Sequence, residues 1–353
     1  MAKRLTLADV AQSLGVSKTL VSLVINNKAD AHGISLETQM RVIEKIRELN
    51  YQPNVLAQGF RTGKTKTIGL IVSDISNIFY AKIARQLEDY AWSKGYSVVI
   101  CSSDENPAKE KEQIKLLLNR KVDGLIISSS LETKETFDQL IDSGFPHVLL
   151  DRTFQDSKSP SVTVNNHEGG RLAASHLLAQ GYRSFAIICI SPNHLSTISD
   201  RSSGFTTALA EAGIRIPDNM NIKVLFNNAE NQIQNKLAEL FQNKELPQAI
   251  FTLNNNLTTA SLKQLHLLGI RVPEDVALIG FDDLNYFEFI KPSVSVIEQP
   301  IESLSEHAFN LLYRQIQKEI IENHECNIIL PVKLIIRESS AIAPKINCQH
   351  DKL

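Results

Sequence analysis

The chain has 353 residues, a length that suits two or three domains. Of these residues 43% are hydrophobic and 22% are charged, a composition typical of a soluble globular protein. No apolar run approaches the ~20 residues that a membrane span requires. Asp9, Gln12 and Ser13 interrupt the apolar stretch that a signal peptide would need near the amino terminus. We therefore expect a cytoplasmic protein that acts without a membrane partner.

The four cysteines stand far apart and form no C-x-x-C pair, which argues against a disulfide framework and against a zinc site. Cys101 and Cys189 lie inside apolar, strand-like runs, so we expect both thiols to be buried. We also expect no cofactor and no resident metal ion.

Charge is divided unevenly along the chain. Residues 1–66 contain 10 Lys and Arg against 5 Asp and Glu, a net charge of +5. The whole chain has 37 basic and 39 acidic residues, a net charge of −2, so the remaining residues carry −7. A basic head on an acidic body indicates that the head is the part suited to phosphates.

The first predicted elements are two short helices joined by a tight turn, within TLADVAQSLGVSKTLVSLVIN at residues 6–26. Thr6 can cap the first helix and form a capping box with Asp9. Gly15 can end that helix in a left-handed turn, and Ser17 can cap the second. The apolar stripes that fold the two helices together comprise Ala8, Val10, Ala11, Leu14, Leu20, Val21 and Val24. Many small helical bundles share such stripes, but the basic charge favours a helix-turn-helix that reads the DNA major groove.

A third helix is predicted over residues 35–50, with Ser35 as its cap. Its buried stripe is expected to comprise Val42, Ile43, Ile46 and Leu49. The loop before it, residues 27–33, is either solvated or in contact with the DNA backbone, and we expect it to be solvated. A hinge and linker follow, since Pro53 can start a short helix but cannot continue one and the stretch up to residue 67 is polar.

From residue 68 onwards, short apolar strands alternate with amphipathic helices. Strands are predicted at residues 68–73, 96–102, 123–129, 147–150, 185–190, 222–226, 249–253 and 276–280. This alternation is typical of parallel sheets covered by helices on both faces. About ten strands are too many for one small sheet. The predicted fold class is therefore α/β: a small all-α head followed by a body of two lobes with a cleft between them.

In order and spacing, the motifs resemble those of the LacI/GalR family of bacterial transcriptional repressors over residues 5–337. They include the head segment above, YQPNVLAQGFRTGKTKTIGLIV, SDISNIFYAKIA, KVDGLIIS, LLDR, HLLAQGYR, DRSSGF, VALIGFDD and VIEQP. The resemblance implies a DNA-binding head, a hinge, a body like periplasmic sugar-binding proteins with two parallel sheets, and a homodimer.

The resemblance also places the domain boundaries. The head spans residues 1–52, the hinge and linker 53–66, the effector-binding domain 67–340, and a flexible tail 341–353. Within the effector-binding domain, lobe one takes about 67–164 and 295–327, and lobe two about 165–294 and 328–340.

In the head, the resemblance implies that Lys18 and Thr19 contact base edges of a palindromic operator. Leu23 stands where relatives often carry a polar residue that contacts a base. Because leucine is apolar, Leu23 can only contact a thymine methyl group or pack against the protein. Phosphate contacts are expected from Thr6, Ser17, Ser22 and Asn26. Local capping is the alternative role for the last two of these.

In the hinge, residues 54–61 resemble the segment that becomes helical in the minor groove of the operator, beginning at Asn54. Ala57 is small enough to approach the groove floor. Phe60 is either a wedge that unstacks a base step or a packing residue against the dimer mate or the body, and we favour the wedge. Such a short helix is marginal alone, so we expect it to fold on DNA.

For the body, the resemblance implies an effector cleft at the carboxyl ends of the strands. The matching positions are Ser73, Asp74, Phe79, Tyr80, Ser128, Asp151, Arg152, Arg201, Asn254, Asp282 and Gln299. Aromatic rings suit the apolar face of a sugar or a flat base, and carboxylates, amides and arginines suit vicinal hydroxyls. Asp151 and Arg152 could instead be only a surface ion pair.

The sequence therefore favours a DNA-binding regulator, a repressor gated by a small-molecule effector, with a sugar as the first candidate. A cytoplasmic or transport-related sugar-binding protein is the alternative, but it would not need the basic head. A carbohydrate-active enzyme could use Asp151 and Asp282 as its carboxylate pair. No nucleophile arrangement, phosphate-binding glycine loop or metal-ligand spacing accompanies that pair, so we do not expect an enzyme.

Overall fold

The structure is a computed structural model that describes residues 5–51, 64–191 and 195–341, apart from the side chain of Asn323. It divides into two units, Met1–Thr65 and Lys66–Leu353. The first unit contains the head and the second contains the body. Most of the predicted hinge, including Asn54, Ala57 and Phe60, and all but the first residue of the predicted tail lie outside the described residues.

The head contains three α-helices, α1 (Leu7–Leu14), α2 (Lys18–Ile25) and α3 (Leu36–Glu48). The predicted capping box is present, because Thr6 N–H donates to Asp9 Oδ2 at 2.7 Å and Asp9 N–H donates to Thr6 Oγ1 at 3.3 Å. Gly15 ends α1 with φ +65°, and Ser17 and Ser35 cap α2 and α3. The axes of α1 and α2 are bent by 109°, within the range of helix-turn-helix pairs. No single described helix is long and apolar enough to cross a bilayer, and only the bent pair α1 and α2 passes that test together.

One detail of the head differs from the sequence-based expectation, whereas the loop at residues 27–33 is exposed at six of its seven positions, as expected of a solvated loop. Ile43 is 41% exposed, because it lies one position from Val42, so about 100° around the helix from the buried face. The loop at residues 27–33 contains a short 3₁₀ helix, Asp30–His32, and its Ala29 is buried. Asp30 accepts a hydrogen bond from Gln39 Nε2 at 2.8 Å, which attaches the loop to α3.

The body consists of two six-stranded sheets flanked by helices. The described strands are β1 (Thr67–Val72), β2 (Ser97–Ser102), β3 (Gly124–Ile127), β4 (His147–Leu150), β5 (Ser161–Val164), β6 (Phe185–Ser191), β7 (Asn221–Leu225), β8 (Ala249–Thr252), β9 (Ala277–Phe281), β10 (Ser295–Glu298), β11 (Asn327–Leu330) and β12 (Lys333–Ile335). The described helices are α4 (Ile78–Ser93), α5 (Pro107–Asn119), α6 (Glu135–Asp142), α7 (Asn166–Ala179), α8 (Ser196–Glu211), α9 (Ala229–Gln242), α10 (Asn255–Leu267) and α11 (Ile301–Ile316).

The first sheet has the strand order β11-β5-β4-β3-β1-β2, and the second has β12-β10-β9-β8-β6-β7. All pairings are parallel except that of β10 with β12. Interior strands such as β3, β4, β8 and β9 are buried along their whole length, as expected for sheets covered on both faces. The predicted α/β fold with two lobes is therefore confirmed.

All eight predicted strands are present within two residues of the predicted bounds, but β5, β10, β11 and β12 were not predicted. Each of these four short strands begins with a polar residue, so none of them forms an uninterrupted apolar run that the sequence would reveal. Two lobe assignments also change. Strand β10 belongs to the second sheet and β11 to the first, opposite to the boundaries at 295 and 327 expected from the sequence.

Burial of the cysteines follows strand position. Cys189 lies on β6, an interior strand, and is 2% exposed. Cys101 lies on β2 at the edge of the first sheet and is only half-buried, contrary to expectation. Both thiols are free, and burial raises the pKa of Cys189 to about 11.

Candidate functional site

The candidate site is a cleft between the two lobes of the body, where the carboxyl ends of both sets of parallel strands meet. The side chains around it enclose about 530 Å³ of space, open solvent included. It is lined by Ser73, Asp74, Asn77, Phe79, Tyr80, Glu105, Asp151, Arg152, Ile190, Thr197, Ile198, Arg201, Phe226, Leu253, Asn254, Asn256, Asp282 and Gln299. Ten of the eleven predicted effector residues are among them. The eleventh, Ser128, lies directly behind the wall.

Asp151 is anchored by two neighbours in the first lobe. The Tyr80 hydroxyl donates to Asp151 Oδ2 at 2.9 Å and also bonds Ser128 Oγ at 2.9 Å. Burial raises the pKa of Tyr80 above its usual value, and the Asp151 charge adds to that shift, so the phenol stays a donor. Asp151 Oδ1 is buried and has no hydrogen-bond partner among the described residues. That oxygen is available to a ligand.

Arg152 follows Asp151 and is held by a residue that the sequence did not indicate. Its Nη1 and Nη2 donate to Glu105 Oε2 and Oε1 at 2.8 and 2.6 Å. Nη1 also donates to the carbonyl of Ser129 at 3.3 Å. Both ends of this ion pair are only 9% exposed. Arg152 Nε also lies 3.8 Å from Asp151 Oδ2, so the Asp151–Arg152 ion pair weighed as an alternative is present but buried, not on the surface. Arg152 Nε is buried and has no hydrogen-bond partner in the described part of the chain.

Arg201 supplies the positive charge of the second lobe. Its Nε donates to Asn166 Oδ1 and its Nη1 to the Leu253 carbonyl, both at 2.7 Å. The guanidinium carbon lies 3.5 Å from the centroid of the Phe281 ring. Burial lowers the pKa of Arg201, and the charges of Asp282 and Asp151 oppose that effect. Two hydrogen bonds and one ring face therefore fix the side chain, and they leave Nη2 directed towards Asp151.

Two glycines let the helix that carries Arg201 approach its neighbour closely. A Cβ on Gly170 in α7 would lie 2.1 Å from the Arg201 carbonyl oxygen. A Cβ on Gly204 in α8 would lie 1.9 Å from the carbonyl oxygen of His167. Both distances are impossible for a side chain, so the backbones of α7 and α8 touch at these points. The glycines in the HEGG and DRSSGF segments thus set the position of Arg201.

Asp282 is the counterpart of Asp151 in the second lobe. Gln299 Nε2 donates to Asp282 Oδ1 at 2.6 Å, and the backbone N–H of Asn255 donates to the same carboxylate. Burial raises the pKa of Asp282, while Arg201 and Gln299 counteract the rise. Gln299 Oε1 is a further buried oxygen without a partner among the described residues.

Asp151 and Asp282 share an unusual backbone conformation. Their φ angles are +67° and +74°, in the left-handed region, immediately after β4 and β9. Aspartate tolerates this region better than most residues, at a cost of order 1 kcal/mol. The turn ends each strand abruptly at the cleft. The two carboxylates therefore project into the cleft from equivalent positions of the two lobes.

The apolar part of the cleft comes from aromatic rings. Phe79 and Tyr80, in the first turn of α4, pack edge to face with their centroids 5.0 Å apart. Asn77 caps this helix, its Oδ1 accepting from Phe79 N–H at 2.9 Å. Phe226, which follows β7, lines the cleft from the other lobe. Rings on opposite sides give a ligand apolar faces, while the charged groups give it polar edges.

The two lobes are in direct contact beside the cleft. Asn255 Nδ2 of the second lobe donates to Asn77 Oδ1 of the first at 2.8 Å, and both side chains are buried. Thr153 N–H donates to Ser196 Oγ at 3.1 Å. The half-buried Lys82 Nζ donates to Asn285 Oδ1 at 3.0 Å. These hydrogen bonds hold the two lobes together, and the cleft could open only if they were broken.

Two of the predicted effector residues have other partners at the cleft rim. Asp74 Oδ1 accepts from the N–H and the hydroxyl of Ser76, at 2.9 and 2.6 Å. Asn254 caps α10 by accepting from Leu257 N–H at 2.9 Å. The residues that sequence reasoning missed include Asn77, Glu105, Asn166 and Phe226. Only the position of Asn77 before a helix signalled a structural role, and nothing in the sequence pointed to Glu105.

In the head, most of the predicted DNA-contacting residues lie in or next to α2, while Thr6 caps α1. Ser17, Lys18 and Thr19 are exposed, with Ser17 Oγ accepting from Leu20 N–H at 3.1 Å. Thr6 is exposed and Leu23 is half-buried. At the other end of the helix, Asn26 Nδ2 donates to the Ser22 carbonyl at 2.6 Å, so the local contact weighed as an alternative does form. The described residues contain no cluster of three or more potential metal ligands.

Comparison with known proteins agrees with this arrangement. The model of the lacI family of bacterial regulatory proteins matches residues 6–54, and that of a periplasmic binding protein-like domain matches residues 174–340. A ribose operon repressor from Halalkalibacterium halodurans is 33% identical over 335 residues, covering 95% of this chain and 97% of that protein. The HTH-type transcriptional repressor PurR of Photobacterium profundum is 30% identical, covering 95% and 98%. Both are named as repressors and neither as an enzyme, as expected from the sequence.

A solved complex of the transcriptional regulator CelR with cellobiose has the same fold. It superposes with a TM-score of 0.68 at 28% identity and covers 95% of this chain and 100% of that one. Full-length similarity to repressors, a helix-turn-helix head and a two-lobed body converge on one assignment. The chain belongs to the LacI family of bacterial DNA-binding transcriptional regulators.

Proposed function

We propose that this chain is a repressor whose operator affinity is gated by a small polyhydroxylated molecule, a sugar, bound between the two lobes. The observation that carries the proposal is a set of buried polar atoms without hydrogen-bond partners among the described residues. Asp151 Oδ1, Arg152 Nε and Gln299 Oε1 all belong to residues that line the same cleft. Because unpaired buried polar atoms cost about 1–3 kcal/mol each, a site that keeps three of them is built to bond something else.

The chemistry of the cleft favours a sugar. Two carboxylates and two guanidiniums can bond vicinal hydroxyls as acceptors and donors. Phe79 and Phe226 offer the apolar contact that a sugar ring needs on its C–H faces. The CelR structure holds cellobiose, and one relative is named for a ribose operon. A flat nucleobase between the two rings is the second candidate.

The gating mechanism is a coupling of two equilibria. Ligand bonds to Asp151 in one lobe and Arg201 in the other would change the population of the closed state, which the contact between Asn77 and Asn255 already favours. We propose a homodimer, in which that change alters the spacing of the two heads. Operator affinity and sugar affinity then change each other by the same factor.

DNA recognition is assigned to the head and the hinge. Lys18 and Thr19, both exposed at the start of α2, would contact base edges, and Ser17 would contact phosphate. Thr6, Ser22 and Asn26 are phosphate candidates that also make local bonds, and Leu23 would touch a thymine methyl. Two-fold symmetry of the dimer implies a palindromic operator. Asn54, Ala57 and Phe60, outside the described residues, are proposed as the minor-groove segment.

The proposal is tested by two linked measurements on the purified protein. A thermal-shift panel of aldoses, cellobiose and nucleobases should identify a stabilising ligand. Binding to its own promoter region, measured with and without that ligand at physiological salt, should then change by at least about fivefold. A chain that binds its promoter no better than random DNA would refute the repressor function. A ligand that stabilises the chain without changing DNA binding would refute the gating.

A further inference from the structure

The ion pair between Glu105 and Arg152 lies in the wall of the proposed ligand cleft. The binding of sugar hydroxyls does not by itself explain why these two residues are paired there. Glu105 accepts from both terminal nitrogens of Arg152, at 2.8 and 2.6 Å. This two-pronged edge is the part of an arginine that binds a phosphate or a carboxylate most strongly. In this chain it is already occupied by a carboxylate of the protein.

Glu105 is built to remain charged. It is 9% exposed, and the hydroxyls of Ser73 and Ser130 donate to it in addition to Arg152. Burial by itself would raise the pKa of Glu105, but the guanidinium and these hydrogen bonds outweigh it and lower the pKa. The carboxylate therefore stays ionised at neutral pH and keeps Arg152 neutralised.

The charges of the cleft then do not favour an anion. Three buried carboxylates, Glu105, Asp151 and Asp282, face two buried guanidiniums, Arg152 and Arg201. The formal charge of this set is −1. Arg152 Nε, 3.8 Å from Asp151 Oδ2 and without a hydrogen bond among the described residues, remains free to donate to one neutral oxygen.

We infer that Glu105 is a specificity-determining residue that makes the cleft select uncharged polyhydroxy ligands and reject their phosphorylated or carboxylated analogues. The inference rests on the proposed effector function of the same cleft. Glu105 would act in two ways, by occupying the anion-binding edge of Arg152 and by adding a negative charge to the wall. A buried like charge next to a ligand anion costs enough to decide between such analogues.

The test compares four forms of the full chain. These are the wild type, Glu105→Gln, the double variant Glu105→Gln/Arg152→Gln, and Glu112→Gln, which changes an exposed residue of α5 and matches the change in net charge of the single variant. Each form is titrated by calorimetry with two sets of sugars and with inorganic phosphate alone. In the first set, D-ribose is compared with D-ribose 5-phosphate. In the second, cellobiose and D-glucose are compared with D-glucose 6-phosphate. We expect the wild type to bind one of the uncharged sugars with an affinity at least about 100-fold higher than that for its phosphorylated analogue.

In Glu105→Gln, the amide keeps an acceptor for Arg152 but removes the charge. We expect affinity for inorganic phosphate and for the sugar phosphate to rise at least about tenfold, while Glu112→Gln behaves as the wild type. The double variant Glu105→Gln/Arg152→Gln should lose this gain, because the guanidinium that caused it is gone. If the single variant does not fold, a wild type that prefers the phosphorylated sugar still overturns the inference.

Each result has a distinct meaning. A wild type that prefers the sugar phosphate, or an unchanged phosphate affinity in folded Glu105→Gln, overturns the role of Glu105 and leaves effector gating intact. A wild type that binds no compound of the wider ligand panel refutes the proposed effector function itself. Selection of the uncharged sugar together with a gain of anion affinity that requires Arg152 supports the inference.

Discussion

Asp151 Oδ1 in the first lobe lies 3.9 Å from Arg201 Nη2 in the second, directly across the cleft. The distance is too long for a hydrogen bond, although both groups are buried and oppositely charged. A hydroxyl between them could donate to the carboxylate and accept from the guanidinium. Under the proposed effector function, such a ligand hydroxyl would complete the contact between the two lobes.

The first prediction concerns Arg201→Lys. Lysine keeps the charge but cannot make the bonds to Asn166 and to the Leu253 carbonyl that fix the guanidinium. We expect effector affinity to fall by about 10- to 150-fold, the equivalent of one charged hydrogen bond of about 1.5–3 kcal/mol. Operator binding without effector should be unchanged. The exposed Arg215→Lys is the control in calorimetry, and a loss below threefold in Arg201→Lys would remove the residue from the site.

The second prediction concerns Gly204→Ala. The added methyl group would lie 1.9 Å from the carbonyl of His167, so α7 and α8 must separate. Overpacking of this kind costs typically about 1–3 kcal/mol, which corresponds to a fall in Tm of roughly 3–10 °C. Effector affinity should fall as well, because Arg201 moves with α8. Ser203→Ala, on an exposed position of the same helix, should change neither quantity, and a thermally normal Gly204→Ala would contradict the close approach.

These residues show what the sequence could and could not predict. Strands were predicted where uninterrupted apolar runs occur, and the family resemblance assigned Asp151 and Asp282, at the ends of two such runs, to the cleft. The role of Gly204 became visible only with the partner helix in place. Glu105 could not be predicted, because it lies on a loop and meets Arg152, 47 positions away, only in the folded chain.

The third prediction concerns the contact between the lobes. In Asn255→Asp, a carboxylate would replace the amide that donates to Asn77 Oδ1 at 2.8 Å. The buried bond would be lost, and a carboxylate oxygen would face the acceptor Asn77 Oδ1 in its place. We expect this to disfavour the closed state by about 1–2 kcal/mol, so that effector affinity falls roughly 5- to 30-fold. Asn231→Asp is a matched control, since Asn231 makes an equivalent amide bond to Asn228 at 2.9 Å on the exposed surface. Equal effects of the two changes would show that Asn255 does not hold the lobes together.

The fourth prediction concerns pH. Burial lowers the pKa of His147, although its bond to the Phe145 carbonyl counteracts this, and burial also lowers the pKa of His176. Near pH 6.5 and below, the unfolded chain therefore binds more protons than the folded chain. Stability is present above that pH and is lost as the pH falls, by at most about 1.4 kcal/mol per pH unit for each histidine.

Thermal unfolding at pH 7.5, 6.5 and 5.5 measures this loss. His147→Gln should have a shallower decline of Tm with acidification than the wild type, even if its Tm at pH 7.5 is lower. The exposed His266→Gln serves as the control and should retain the slope of the wild type. A steeper decline in His147→Gln would mean that this histidine is protonated in the folded chain.

The last prediction concerns Lys18 in the head. Its ammonium group, exposed in the first turn of α2, would donate to guanine O6 and N7 in the major groove. Lys18→Ala should therefore relax the preference at one base pair in each half-site by roughly 1–3 kcal/mol. Lys28→Ala, just beyond α2, removes the same charge at an exposed position and is the control. The measurement is binding to a library of single-base operator variants at fixed salt. Uniform weakening across the library, with a salt slope reduced by about one, would instead make Lys18 a phosphate contact.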